Sequence, residues 1–122
     1  MPARRLDPRG PGSVTAVLAA LDAGAPPEPQ LLRTAARHLL YLLASRHPGR
    51  AVEVRVPPAA AVQCLPGPAH TRGTPPNVVE TDPVTWIRLA TGRLGWAQAV
   101  GSGAVHASGS RADLGAYLPV VY

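Results

Sequence analysis

The chain has 122 residues, a formal net charge of +5 and 46% hydrophobic residues, and its 12 basic residues are all arginine. That length makes one domain, able to bury roughly two thirds of the surface of its unfolded chain, and so apolar a composition excludes an intrinsically disordered protein. The arginines are scattered over several elements instead of forming a stripe or a recognisable module, which argues against a nucleic-acid partner.

Residues 1–12, with Arg4, Arg5 and Arg9 among prolines and glycines, read as a flexible basic tail, and 13–122 as a single domain. Ser13 is placed to cap a short helix through Asp22, with Val14, Val17, Leu18 and Leu21 on one face. "AGAPPEP" breaks it. The longest periodic segment runs from about Glu28 to Arg46, where Leu32, Ala35, Ala36, Leu39, Leu42 and Leu43 form an apolar stripe. "HPG" stops that helix, and the hydrophobic period then changes from 3.6 to 2. "AVEVRVPP" alternates as a half-buried strand, and "AAVQCL" follows as a second. "PAHTR" reads as a short third strand between prolines, and "NVVET" as a fourth. Asp82-Pro83 is a helix start, because the carboxylate can accept from unpaired N–H groups and proline gives up a donor already orphaned there. The helix it opens carries Trp86, Ile87, Leu89 and Ala90 to Gly92, and a second short one holds Trp96, Ala97 and Val100. "AVHAS" is the fifth strand. Ser110 then caps a last helix with Leu114, Tyr117 and Leu118 on one face, ended by Pro119. Runs of strands beside runs of helices predict an α+β fold, with one sheet covered on one face by helices.

Few residues offer chemistry. Cys64 is the single cysteine, which excludes an internal disulfide and suits a reducing cytoplasm. Mid-strand on an apolar face, its thiol reads as inert. His38, His47, His70 and His106 lack metal-ligand spacing; the first two and His106 read as surface or cap residues. "GSGAVHASGS" has neither dinucleotide-binding nor P-loop spacing, and no nucleophile elbow exists. No apolar run approaches the ~20 residues of a membrane span, and the start of the chain carries no signal-peptide core. No catalytic residue, metal or cofactor is therefore expected, and the protein is read as a non-enzyme.

Two stretches remain. "HTRGTPPNVVETDP", from His70 to Pro83, reads first as a polar join made of a turn, a strand and a cap. The competing reading gives it a ligand contact, with His70 and Arg72 as a polar rim and Arg72 as the anion partner. In the second, Trp86, Leu89, Leu94, Trp96 and Val100 sit on short helices opposite sheet residues that include the small Ala60, Ala61, Ala104 and Ala107. Packing of a core is the plain interpretation. Large walls over a floor of small residues also suit an apolar pocket, completed by Val62, Cys64, Val79, Leu114 and Leu118.

From Asn77 onward the chain resembles the second half of the sterol-carrier-protein fold, with Asp82, Gly92, Gly103 and Gly109 at its recurring acidic and glycine positions. "VEVRVPP", "VQCLPGPAHTRGTPPNVVETDP" and "ASGSRADLGAYLP" are similar to a small sterol-carrier-like family of bacteria, mainly actinobacteria. The likeness covers roughly 13 to 120. Ser110 stands where carriers often have Asp. The resemblance implies a five-stranded, largely antiparallel sheet with helices on one face and an apolar tunnel between them. It also implies non-catalytic carriage of a hydrophobic ligand: a fatty acyl chain, acyl-CoA or a sterol-like lipid. Similar domains are fused to mycothiol-dependent isomerase-like enzymes, so an accessory protein-interaction module, with a protein as partner, is the alternative.

Overall fold

The computed structural model describes residues 6–68 and 77–121. Their elements run α1 (Gly10–Asp22), α2 (Pro29–Arg46), β1 (Val52–Val56), β2 (Ala60–Cys64), β3 (Val78–Thr81), α3 (Pro83–Ala90), α4 (Trp96–Gly101), β4 (Val105–Ser108) and a 3₁₀ turn, Gly115–Tyr117.

Helix α1 begins at Gly10, ahead of the expected Ser13 cap, and Ser13 is instead buried within it. Its N-cap is Arg9, which makes no side-chain cap bond; Asp7 accepts from the Arg9 backbone N–H at 2.9 Å and from its guanidinium. Helix α2 starts as its sequence predicts. The Glu28 carboxylate accepts from the N–H groups of Gln30 and Leu31, each at 3.0 Å, and Pro29 occupies the first turn. Ala35, Ala36, Leu39, Leu40 and Leu43 are fully buried. The stripe is wider than a one-sided helix needs because α2 meets α1, α3 and β2.

Among the described residues the sheet has four strands, in the order β2-β1-β3-β4. This corrects the expected five: the remaining candidate, "PAHTR", has Ala69–Arg72 outside the described residues. The chain leaves β2 through Leu65, at φ 68, and Gly67, at φ 141, where Pro66 and Pro68 lack ladder donors. Pairings β1–β2 and β3–β4 are antiparallel, but the central β1–β3 pairing is parallel, with Glu53 opposite Val78 and Arg55 opposite Glu80. One face carries Val52, Val54, Val56, Val62, Cys64, Val79 and Val105, all buried. The other carries Glu53, Arg55, Gln63, Glu80 and His106 and is open to solvent.

The segment after β4 also departs from expectation. No α-helix follows Ser110. Asp113 Oδ1 accepts from Gly115 N–H at 2.8 Å and opens only the 3₁₀ turn. About two helical turns separate Ser110 from Pro119, too few to persist on propensity alone. The chain instead spends its donors on α3: the N–H groups of Val120 and Val121 reach the Ala90 carbonyl at 2.8 and 3.0 Å. The Arg46 guanidinium donates to the Val120 carbonyl from the end of α2.

Candidate functional site

Asp82 sets the position of the first tryptophan. Its Oδ2 accepts from Thr85 N–H at 3.1 Å and its Oδ1 from the Thr85 hydroxyl at 2.6 Å, fixing the start of α3. One turn later Trp86 is 1% exposed, and its indole N–H donates to the Ala36 carbonyl of α2 at 3.1 Å. Leu89, on the same helix, is equally buried. Val62, Cys64 and Val79 meet this layer from the sheet, and Leu114 closes it from the chain end; all four are buried. Burial pushes the Cys64 thiol up to about 11.

Leu94, Trp96 and Leu118 pack against the same cluster but are only partly buried. Trp96 lies against Gly115, where an added Cβ would meet its ring at 3.2 Å. Val100 is 39% exposed. Nine of the ten apolar candidates thus share one cluster, and Val100 faces outward. The small floor is uneven: Ala61 lies on the open sheet face, and Ala107, although level with Val79, is exposed.

Several concavities lie around this filled layer, among them a small one of about 310 Å³ beside Val52, Leu65 and Tyr117. A cleft of about 620 Å³ lies between the last turns of α2 and strand β2, with Tyr41, Ala44 and Ser45 on one wall and Ala61, Val62 and Gln63 on the other. Arg50 and Glu53 stand at its rim, and Arg50 Nε donates to Gln63 Oε1 at 3.1 Å. A more open cleft of about 610 Å³ runs along β4 and takes in Val100, Val105, Glu80 and His106. Val62 is the candidate that belongs to both the buried layer and the first cleft.

The polar string His70–Pro83 divides. His70 and Arg72 lie outside the described residues. Its described part is structural: the Asn77 side chain donates to the Ala51 carbonyl at 2.9 Å and accepts from Arg111 N–H at 3.0 Å, and Asp82 is the cap. Of the remaining histidines, His47 stacks edge-on to Tyr117 with centroids 4.8 Å apart, and His106 is exposed. His38 is buried, contrary to its expected surface position, because α1 covers it. Among the described residues, no group of three or more His, Cys, Asp or Glu side chains is placed to hold a metal ion.

Residues 28–120 match the model of a family described as a bacterial SCP ortholog, SCP being the sterol carrier protein. The chain belongs to this bacterial sterol-carrier-protein family. No curated protein matches it. The family segment opens at Glu28, the cap of α2, and runs to Val120, which bonds back to α3; α1 lies outside it. Within this sterol-carrier framework the α2–β2 cleft went unread in the sequence. Its lining comes from α2, the following loop, β1 and β2, and no local spacing unites them. The signal available was Tyr41, a phenol one turn before Ala44 and Ser45 within the leucine-rich part of α2.

Proposed function

We propose that the protein binds and carries a hydrophobic ligand of the fatty acyl, acyl-CoA or sterol-like class, without transforming it. The ligand occupies the layer between sheet and helices, reached through the α2–β2 cleft. The observation that carries this reading is Val62, which is 4% exposed in the layer and also lines the cleft wall. Membership of a sterol-carrier-type family supports lipid as the ligand class. The cleft's size falls in the usual range for small-molecule sites, roughly 300–1,000 Å³. Its rim of Arg50, Ser45 and Gln63 suits a polar head, and its Ala44, Pro48 and Val62 an apolar tail. Beyond the cleft, the tail must displace side chains at the partly buried margin formed by Leu94, Trp96 and Leu118. His70 and Arg72 are proposed as further head-group contacts. A cytoplasmic setting agrees with the lone buried thiol, and no helix among the described residues is long and apolar enough to cross a membrane.

The test is native mass spectrometry of the purified protein, followed by titration with a fluorescent fatty acid. A co-purified lipid and saturable binding in the micromolar range, on the order of 8 kcal/mol, are expected. Ser45→Trp, at the exposed wall of the cleft, should block binding while leaving the fold intact. A specific observation favours the second reading, an accessory protein-interaction module: Trp86, Leu89 and Leu114 already fill the layer. Absence of any bound lipid, with no saturable binding of the probe, would decide for that module.

A further inference from the structure

His38 sits at the seam between α1 and α2. It is 8% exposed, and its Nδ1 has no hydrogen-bond partner. Gly10, the first residue of α1, lies directly over the ring: a Cβ added there would collide with His38 Nδ1 and Cγ. The backbone of α1 therefore closes over the imidazole more tightly than a methyl group allows. A neutral imidazole tolerates this, because one of its nitrogens carries no hydrogen. An imidazolium does not. Both nitrogens then donate, and an Nδ1–H would be buried with no acceptor.

The charged surroundings do not relieve the ring. Asp7, in the turn before α1, is the one group among the described residues whose charge favours the imidazolium, and burial outweighs it, holding the His38 pKa below the ordinary 6.5. The Asp7 carboxylate is already engaged by the Arg9 guanidinium at 3.1 and 2.9 Å. Other charged groups on or flanking the elements packed together here are Asp22 of α1, Glu28, Arg33, Arg37 and Arg46 of α2 and Asp82, Arg88 and Arg93 of α3, with none in β2, and none of them acts on the ring. Arg37 spends its guanidinium on the Ala59 carbonyl at 3.3 Å.

We infer that α1 is an acid-releasable strap, which protonation of His38 at Nδ1 drives off α2. The proton comes from solvent. In the docked state it has no acceptor, whereas in the undocked state the new N–H bonds water. The undocked ring takes up its proton at higher pH than the docked one. Docking is therefore unaffected well above pH 6.5, weakens as pH falls through that value and levels off below the docked pKa. Once free, the 13-residue α1 is too short to stay helical by itself, and its departure uncovers the apolar side of α2 that Val14 and Val17 now cover.

Hydrogen exchange on the full chain at pH 7.5 and pH 5.0, corrected for intrinsic rates, tests this. The expected result is a several-fold loss of protection across residues 10–22 at the lower pH, with β1 and α3 unchanged, and no such loss in His38→Leu. Equal protection of α1 at both pH values, the same loss in His38→Leu, or loss spread evenly over the chain would each overturn the strap. Should His38→Leu not fold, NMR titration of the native chain decides. A His38 midpoint below 6.5, shared by the α1 amides, supports the inference. A midpoint at or above 6.5 defeats it.

Discussion

Gly49 shows how tightly a single position can be held. Its φ is +149, and a Cβ there would run into the backbone carbonyl of Leu65. That carbonyl accepts from Ala51 N–H at 3.1 Å, so it cannot retreat without opening the start of the sheet. Gly49→Ala should cost about 3 kcal/mol or more, beyond the usual range for a point change, as measured by denaturant unfolding. Cys64 makes a different point. Its thiol is held at about 11 against an ordinary 9.0 because burial penalises the thiolate. The folded protein should resist maleimide at pH 8 and react at once in denaturant. The raised value also fixes a sign: this stabilisation is whole below about pH 9 and is lost as pH rises towards about 11. Cys64→Ala should remove that part of the alkaline slope. The inertness of Cys64 was legible from its place on an alternating strand. The burial of His38 was not, since it depends on a helix arriving from another part of the chain.

At the scale of elements, the helix start at Asp82-Pro83 was legible, and it makes the cap bond that its sequence promises. Glu28-Pro29 was read as the end of a breaking stretch and not as a cap, yet it makes the same kind of cap. Asp82→Ala should cost about 1 kcal/mol and loosen the approach of Trp86 to Ala36, seen as a lower midpoint of thermal unfolding. Ser13 and Ser110 misled, because a serine followed by apolar residues is common and does not of itself end up outside a helix. Ser13 is carried into α1 by the turn at Asp7–Arg9, and Ser110 precedes a segment whose amides serve α3. That segment holds by docking. Leu114 is fully buried and Val120 nearly so. Truncation after Ser108 should lower stability by about 3–6 kcal/mol, at 1.5–3 kcal/mol for each buried aliphatic. Unchanged melting with faster exchange of a bound acyl probe would instead make the segment a cover over the ligand layer.

Across the whole molecule, the α+β class and the strands β1 to β4 followed from periodicity and from likeness to the sterol-carrier family. The strand order did not. Alternation says which face of a strand is buried and is silent on its neighbour, so the parallel contact of β1 with β3 could not be read from either segment. The proposed ligand layer was legible as a set of apolar residues, nine of which share one cluster. Whether they enclose space or fill it depends on rotamers and on α2, whose buried face is broader than a simple stripe. The α2–β2 cleft was illegible because it is a property of tertiary contact alone.

The bond from Arg46 to Val120 spans 74 residues, and the indole of Trp86 reaches back 50 to Ala36. Both bear on how the chain is made. While a ribosome has delivered only the residues through β3, α2 has neither its tryptophan nor the strand that completes the sheet, and its apolar faces stay open. The nascent polypeptide is therefore vulnerable until the residues through Val120 have emerged. Contacts this distant place refolding between the microsecond-to-millisecond scale of helical bundles and the millisecond-to-second scale of all-β folds. Stopped-flow tryptophan fluorescence should find it there, and stalled chains ending before Val105 should be cut readily by protease where the finished protein is not.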